Sequence, residues 1–372
     1  MIRVVSDVSD WGYHAVIKPL LFSIHPDHIH ENFLNAGEVL GRVPLITGFF
    51  RAAWNYQDPR LEQTVAGMTV PVPLGIAAGY DYLGKTSTIT DALGIGWHTV
   101  GTITAGAYGG NKPPLYGRLK KSKSLWVNKG FKSPGAQALK EVLDSLAPQI
   151  PVGASIGATN KHYDTLEELV AEYVTAFEIL KDPASVSYYE VNISCPNLHT
   201  KISLYDPAVL RQLLAAIESL KIKKPIFIKM PVDITDDHCR ELLDVIRDFS
   251  ITGIIIGNLT KKRDNPRIWR TEAQQFPSHG GLSGKPTQAL SDRLIRVAYR
   301  HAGKDLVIVG CGGIFTAEDA YRKMRLGATL LQFVTGMIYG GPQVIGRIHL
   351  GMAELLERDG FGHISEVIGI DA

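Results

Sequence analysis

Three things are scarce in this chain: long apolar runs, clustered cysteines and a surplus of one charge. No stretch of about 18 consecutive apolar residues occurs, so no membrane-spanning helix is expected. The first residues, up to Asp10, carry Asp7 and Asp10 and lack a basic segment followed by an apolar core, so no signal peptide is expected. Cys195, Cys239 and Cys311 are the only cysteines and lie far apart. Their spacing gives neither a disulfide framework nor a metal site, and a reducing, cytoplasmic compartment is the simple reading. Lys and Arg number 39 against 37 Asp and Glu, a formal net charge of +2, which offers no overall attraction to nucleic acid.

What is present is enough for one large core. The chain has 372 residues, 45% of them hydrophobic and 20% charged. From residue 70 onward, short apolar runs alternate with helical patterns. The runs are 72–76, 97–100, 152–156, 189–192, 226–229, 254–256, 306–309 and 330–333. Near-continuous apolar runs suit parallel strands covered on both faces. Between them Leu166, Leu169, Val170, Tyr173 and Phe177 recur at helical spacing, as do Leu242, Leu243 and Ile246. Eight such units in about 300 residues predict an α/β fold, a (β/α)8 TIM barrel, with a doubly wound open sheet as the alternative.

Residues 1–56 read differently. Ile29, Phe33, Ala36 and Leu40 fall on one helical face, and Leu45, Ile46, Phe49, Phe50 and Trp54 make another, with Gly41 to Pro44 as the turn. The division expected is an N-terminal helical hairpin over 1–56 and a barrel over 57–372. The hairpin's apolar side either packs on the barrel or faces a membrane or an apolar substrate.

The most informative stretch is Asn192-Ile193-Ser194-Cys195-Pro196-Asn197, at the end of a strand that Pro196 stops. Two carboxamides, a hydroxyl and a thiol are costly to bury unless something binds there. Amides present both donors and acceptors to a flat heterocycle, and the thiol can take a proton. A turn holding one buried cysteine is the plain alternative, and the flanking amides weigh against it. Lys229 ends the fifth run, where its charge needs a partner and could neutralise an anionic cofactor ring. Gly310 to Gly313 and the segment Gln332 to Gly336 end the seventh and eighth runs, where barrels commonly hold phosphate on backbone N–H groups. Gly280 to Pro286 forms a further glycine-rich loop without nucleoside-triphosphatase spacing.

These motifs resemble the dihydroorotate dehydrogenase family, in its quinone-linked, membrane-associated class 2. The resemblance runs over nearly the whole chain. It is carried by Lys18 to Phe22, Gly75 to Gly79, Gly101 to Thr104, Gly110 to Pro113, Asn192 to Asn197, Gly281 to Pro286 and Gly310 to Gly313. It implies an FMN-binding barrel and an N-terminal hairpin that admits quinone from the bilayer, hence a peripheral position on the inner membrane. It also implies a monomer and no metal. FMN would lie against Ala77, Ala78, Gly79 and Thr102, with Lys229 at its N1–C2=O edge and Asn192 touching both ring and substrate. Gly284, Gly312, Gly313 and the backbone of Val334 and Thr335 would hold its phosphate. The family's asparagine after strand three falls at Thr159 or Asn160, and Asn160 is the expected flavin contact. Cys195, with Ser194 beside it, would be the catalytic end; Asn192, Asn197, Asn258, Asn128 and Tyr82 would line the substrate.

The chain also departs from the pattern. Cys195 stands where class 2 enzymes have serine and class 1 enzymes have cysteine. Tyr82 replaces a lysine, Val127 an asparagine with Asn128 one place off, and Leu259 a hydroxyl residue. Each lost partner would cost roughly 1–3 kcal/mol of binding to polar substrate edges. Val334 stands where the family commonly has tyrosine, while Arg118 matches its quinone-side arginine. The expected function is oxidation of dihydroorotate, or of a related small cyclic substrate, by hydride transfer to FMN with Cys195 as base. A paralogue with another substrate and a non-catalytic flavin-binding homologue are the alternatives.

Overall fold

The computed structural model describes residues 2–181, 183–199 and 201–372. Eight parallel strands close into a barrel. In chain order they are Leu74–Asp81, His98–Ile103, Val152–Ile156, Val186–Asn192, Ile226–Met230, Gly253–Ile256, Val307–Cys311 and Leu330–Phe333. The eighth returns to the first, with Leu331 opposite Leu74 and Phe333 opposite Ile76, so the ring has no open edge. Every apolar run read from the sequence falls on one of these strands, and the open-sheet alternative is excluded.

The two-residue alternation of a strand sends every second side chain inward. Tyr188 and Phe227 form the lowest layer with Trp97, Ile255, Val309 and Leu330. A hairpin of Gln63–Val65 and Met68–Val70 plugs that end with Val65, Met68 and Val70. Gly153 makes room for the layer, because a Cβ there would lie 2.1 Å from the Tyr188 ring. Glu190 heads the next layer and accepts from Thr99 Oγ1 at 2.7 Å and Gln332 Nε2 at 2.6 Å. Above it, at the C-terminal ends of the strands, stand Thr102, Asn192 and Lys229, all buried.

Outer helices start where short polar side chains cap them: Thr165 before Leu166–Leu180, Asp206 before Pro207–Ser219, Thr235 before Asp236–Arg247 and Thr316 before Ala317–Arg325. Leu169, Tyr173, Phe177, Leu242, Leu243 and Ile246 are buried against the barrel, as their spacing predicts.

The N-terminal region contains the expected helices, Pro26–Gly41 and Pro44–Trp54. Their faces differ from a packed hairpin. The inner face of the first is Leu34 and Gly37, while Phe33 and Leu40 are exposed; Leu45 and Phe49 of the second are exposed too. A further helix, Ile2–Gly12, precedes them and runs through a wider turn, Tyr13–Ile17, into Lys18–Ser23. Polar side chains at its end and just beyond tie this segment to the barrel. The Tyr13 hydroxyl donates to the Ile338 carbonyl at 2.8 Å, Lys18 Nζ to the Tyr339 carbonyl at 2.8 Å, and Asp10 pairs with Arg347 at 2.8 Å. No helix among the described residues is long and apolar enough to cross a membrane.

The first strand ends in a buried clamp. Asp81 accepts from the Lys85 and Thr86 amides at 3.0 and 2.8 Å and from Thr86 Oγ1 at 2.8 Å, and lies 3.2 Å from His98 Nε2. Burial opposes its ionisation, but His98 and these amides more than offset this and hold the carboxyl down at about 2. A folded-state value below the unfolded one means its contribution is present above pH 4 and lost as pH falls toward 2. Asp81→Ala is expected to destabilise the protein by roughly 2–4 kcal/mol at neutral pH, since four donors lose their acceptor. Urea denaturation checks this, and a loss below about 0.5 kcal/mol would contradict it.

Candidate active site

The C-terminal ends of the strands bring the short polar residues of the fourth-strand motif together. Asn192 Nδ2 donates to Thr102 Oγ1 at 2.9 Å, and Thr102 Oγ1 lies 3.1 Å from Ser155 Oγ. Asn192 Oδ1 accepts from the Ser194 amide at 3.3 Å and from Ser194 Oγ at 3.2 Å. Asn258, from the end of strand six, donates to Ser194 Oγ at 2.9 Å. Lys229 is opposite Asn192 in register and is 3% exposed; among the described residues its ammonium makes no hydrogen bond or ion pair. A buried ammonium so placed is costly until an electron-rich partner arrives.

Ser194 is thus engaged on both sides, which leaves Cys195 as the group beside it with chemistry to spare. Cys195 keeps some exposure at the mouth. Burial pushes its thiol up to about 11, while the Asn197 amide and the Lys261 and Lys229 charges pull the other way. At neutral pH it is therefore a thiol, and its thiolate fraction grows with pH.

Around this cluster the backbone is open or glycine-lined. Ala77 is buried, Ala78 half-buried and Gly79 exposed, and the Gly79 backbone has φ +101° with nothing within 4 Å of where a Cβ would stand. On the far side of the mouth Gly312 and Gly313 have φ +103° and +75°, and a Cβ on Gly313 would lie 2.3 Å from Gln288 Cβ. Gly284 packs against Thr335, which donates to Ser283 Oγ at 2.8 Å, and Val334 precedes Thr335 at the start of Thr335–Gly340.

A carboxamide network forms the rim. Asn111 Nδ2 donates to Asn128 Oδ1 at 3.1 Å, and Asn111 Oδ1 accepts from Asn160 Nδ2 at 2.8 Å and the Tyr108 hydroxyl at 2.6 Å. Asn160 also accepts from the His199 amide at 2.6 Å and Asn197 donates to the Val127 carbonyl at 2.9 Å. Thr159 instead turns away, donating to Glu172 at 2.6 Å. Of the two residues left open by the sequence, Asn160 is the one on the rim. Tyr108 and Asn111 were not singled out from sequence for a role. Asn111 sits inside the motif Gly110 to Pro113, so the signal was present for it and absent for Tyr108. Among the described residues Asn197 Oδ1 is buried without a hydrogen-bond partner.

Tyr82 is 3% exposed, and its hydroxyl donates to Glu31 of the helix Pro26–Gly41 at 2.9 Å. Glu31 also pairs with Lys132. The phenol hydroxyl is thus committed to the N-terminal helix. Over that ring, 3.4 Å from its centre, stands the ammonium of Lys129, a residue with 7% exposure and no hydrogen-bond partner. Val127 and Leu259 are half-buried beside Gly281. No group of three His, Cys, Asp or Glu among the described residues is placed to hold a metal ion.

The comparisons with known proteins bear on the family. The family model described as dihydroorotate dehydrogenase matches residues 60–356. A protein of Synechocystis sp. named dihydroorotate dehydrogenase (quinone) is 35% identical over 327 residues, covering 86% of this chain and 85% of that one. One of the same name from Deinococcus deserti is 35% identical over 370 residues, covering 97% and 100%. Among solved structures, the ligand-free enzyme of Eimeria tenella superposes with a TM-score of 0.81 at 25% identity, covering 92% of this chain and 98% of that one. On a match of this extent, over a barrel whose strand ends carry the motifs, the chain belongs to the dihydroorotate dehydrogenase family.

Proposed function

We propose that this chain oxidises dihydroorotate with FMN as its bound cofactor and passes the electrons to a membrane quinone. The observation that carries the reading is the partnerless Lys229 ammonium facing Asn192 and Cys195 above an open glycine floor. That combination fits a flavin: Gly79 leaves space for a flat ring, Lys229 supplies positive charge at the ring's edge, and Thr102 and Asn192 supply hydrogen bonds. Ala77, Ala78 and Asn160 complete the wall. Gly284, Gly312 and Gly313 sit where a Cβ would meet the Lys123 carbonyl oxygen, Thr287 and Gln288, so only glycine fits, and their backbone with that of Val334 and Thr335 would hold a phosphate. FMN, when bound, supplies the hydride acceptor.

The chain's own residues handle the proton and the orientation. In dihydroorotate the carbon next to a ring carbonyl carries the acidic hydrogen, and Cys195 as thiolate removes it. Ser194, held by Asn192 and Asn258, fixes the loop from which Cys195 projects. The vacant Asn197 Oδ1 accepts from a ring N–H, and Asn258 and Asn128 turn further amide groups toward the substrate's carbonyls. Tyr82 contributes its ring as a wall rather than a hydrogen bond.

The N-terminal unit, residues 1–56, serves the oxidant and rests on the membrane surface. Val8, Trp11, Val16, Leu20, Leu45 and Phe49 are all more than 60% exposed, an apolar face that a solvated barrel does not need. Arg118 lies 4.7 Å from the Phe22 ring and donates to the Ile24 carbonyl at 2.7 Å, next to that face.

Two outcomes follow. Flavin reduction by dihydroorotate is expected to rise about tenfold per pH unit from pH 7 toward 10, because only the thiolate is a base. Cys195→Ala is expected to slow it by at least about 10² with flavin still bound. Stopped-flow bleaching of the flavin measures both, and an alanine variant as fast as the parent would remove Cys195 from the mechanism. On the membrane side, Leu20→Asp with Leu45→Asp and Phe49→Asp is expected to weaken vesicle binding by at least about tenfold. Substrate-driven flavin reduction should be unchanged. Flotation with phospholipid vesicles tests it, and undiminished binding would refute the assignment of this face.

A further inference from the structure

We propose that Lys129 binds the carboxylate of the substrate, standing in for the cation that strand one lacks at Tyr82. The proposal rests on the reading of the site as a dihydroorotate pocket and deepens it.

Lys129 is more than nine-tenths buried and its ammonium has no hydrogen-bond partner. The charges around it are already spoken for. Glu31 is paired with Lys132 and accepts from Tyr82, and Asp81 is filled by His98, Thr86 and the Lys85 amide. His30, held between the Tyr116 hydroxyl at 2.9 Å and the Tyr80 carbonyl at 2.6 Å, is pushed down to about 3 by burial and by Lys129 itself, so it stays neutral. What remains against the ammonium is two aromatic rings, Tyr82 at 3.4 Å and Tyr116 at 5.8 Å. Cation–π contact offsets part of the desolvation and donates no counter-charge. Burial and Lys132 hold this amine well below the ordinary lysine range, against the opposing pull of Glu31 and Asp81. A bound anion would reverse that cost.

The placement suits such an anion. Lys129 follows Asn128, whose carboxamide is in the rim network, and precedes Gly130, where a Cβ would lie 2.8 Å from Asn111 Oδ1 and 2.9 Å from Asn160 Nδ2. The side chain carries its charge from this rim to the ring that follows the Gly79 floor by three residues. A lysine at position 82 would bring a charge to the same wall from the strand; here the wall is an aromatic ring and the charge comes from the neighbouring loop. Asn197 Oδ1, an acceptor, and Lys129 Nζ, a donor, are both buried without a hydrogen-bond partner among the described residues. A ring bearing both an N–H and a carboxylate would use both.

The test compares orotate with uracil, the same ring without the carboxylate, through flavin absorbance changes in the holoenzyme. The parent is expected to bind orotate far more tightly. Lys129→Met should weaken orotate on the order of 30- to 100-fold while leaving uracil within about threefold, and Lys129→Arg should retain most of the preference. A variant that merely loosens the fold would weaken both ligands alike. Lys129→Gln, which keeps a polar head of similar reach, supplies the same comparison if the methionine variant does not fold. A Lys129→Met or Lys129→Gln protein that keeps the parent's orotate-to-uracil ratio overturns the proposal while leaving the function intact. A parent holoenzyme indifferent to orotate and unreduced by dihydroorotate overturns the function itself.

Discussion

A closed parallel barrel forces every second side chain of every strand into one shared interior, and most of this protein follows from how that space is filled. At the bottom the occupants are Tyr188, Phe227, Trp97 and the hairpin residues, which need nothing but each other. One layer up, Glu190, Thr99 and Gln332 satisfy most of their polar groups internally. At the top the same alternation delivers Asn192, bonded to Thr102 and Ser194, and Lys229, whose ammonium has no partner among the described residues. A strand end with spare donors and acceptors is where a parallel barrel can bind something, because no further layer closes it.

The thiol at Cys195 shows how the same burial tunes chemistry. Packing raises its pKa, while Lys229 and Lys261 act in the opposite sense. A serine hydroxyl in that place would begin much farther from neutrality than a thiol does. Because Ser194 is held by Asn192 and Asn258, the two adjacent nucleophilic side chains divide the work. Ser194 is held in the network, and in the proposed reaction Cys195 exchanges the proton.

The barrel was legible because its strands are apolar on both faces, so the runs 152–156 and 330–333 coincide with strands end to end. The strand-end motifs were legible because carboxamides, a thiol and glycines have few other reasons to cluster there. Less was readable where contacts decide. The helix Ile2–Gly12 hides its anchoring in Tyr13, Lys18 and Asp10, while its apolar residues Val8 and Trp11 face outward, opposite to what periodicity assumes. The choice between Thr159 and Asn160 turns on one residue of register, and the structure puts Asn160 in the rim network with Asn111 while Thr159 bonds Glu172. Tyr82 looked like a lost cation because sequence compares position with position, whereas the charge of Lys129 returns to that wall from 47 positions along the chain.

That displacement ties together parts of the molecule that the sequence separates. With a lysine at position 82 the wall would need no support from elsewhere. With tyrosine there, the hydroxyl must find an acceptor, and it finds Glu31 on the helix whose Phe33 and Leu40 are exposed. Glu31 in turn fixes Lys132, three residues beyond Lys129. The N-terminal unit proposed to meet the membrane therefore shares a hydrogen bond, through its helix Pro26–Gly41, with the wall proposed to meet the substrate. A shift of that helix would move the ring on which the Lys129 ammonium rests, and with it the charge available to an anion.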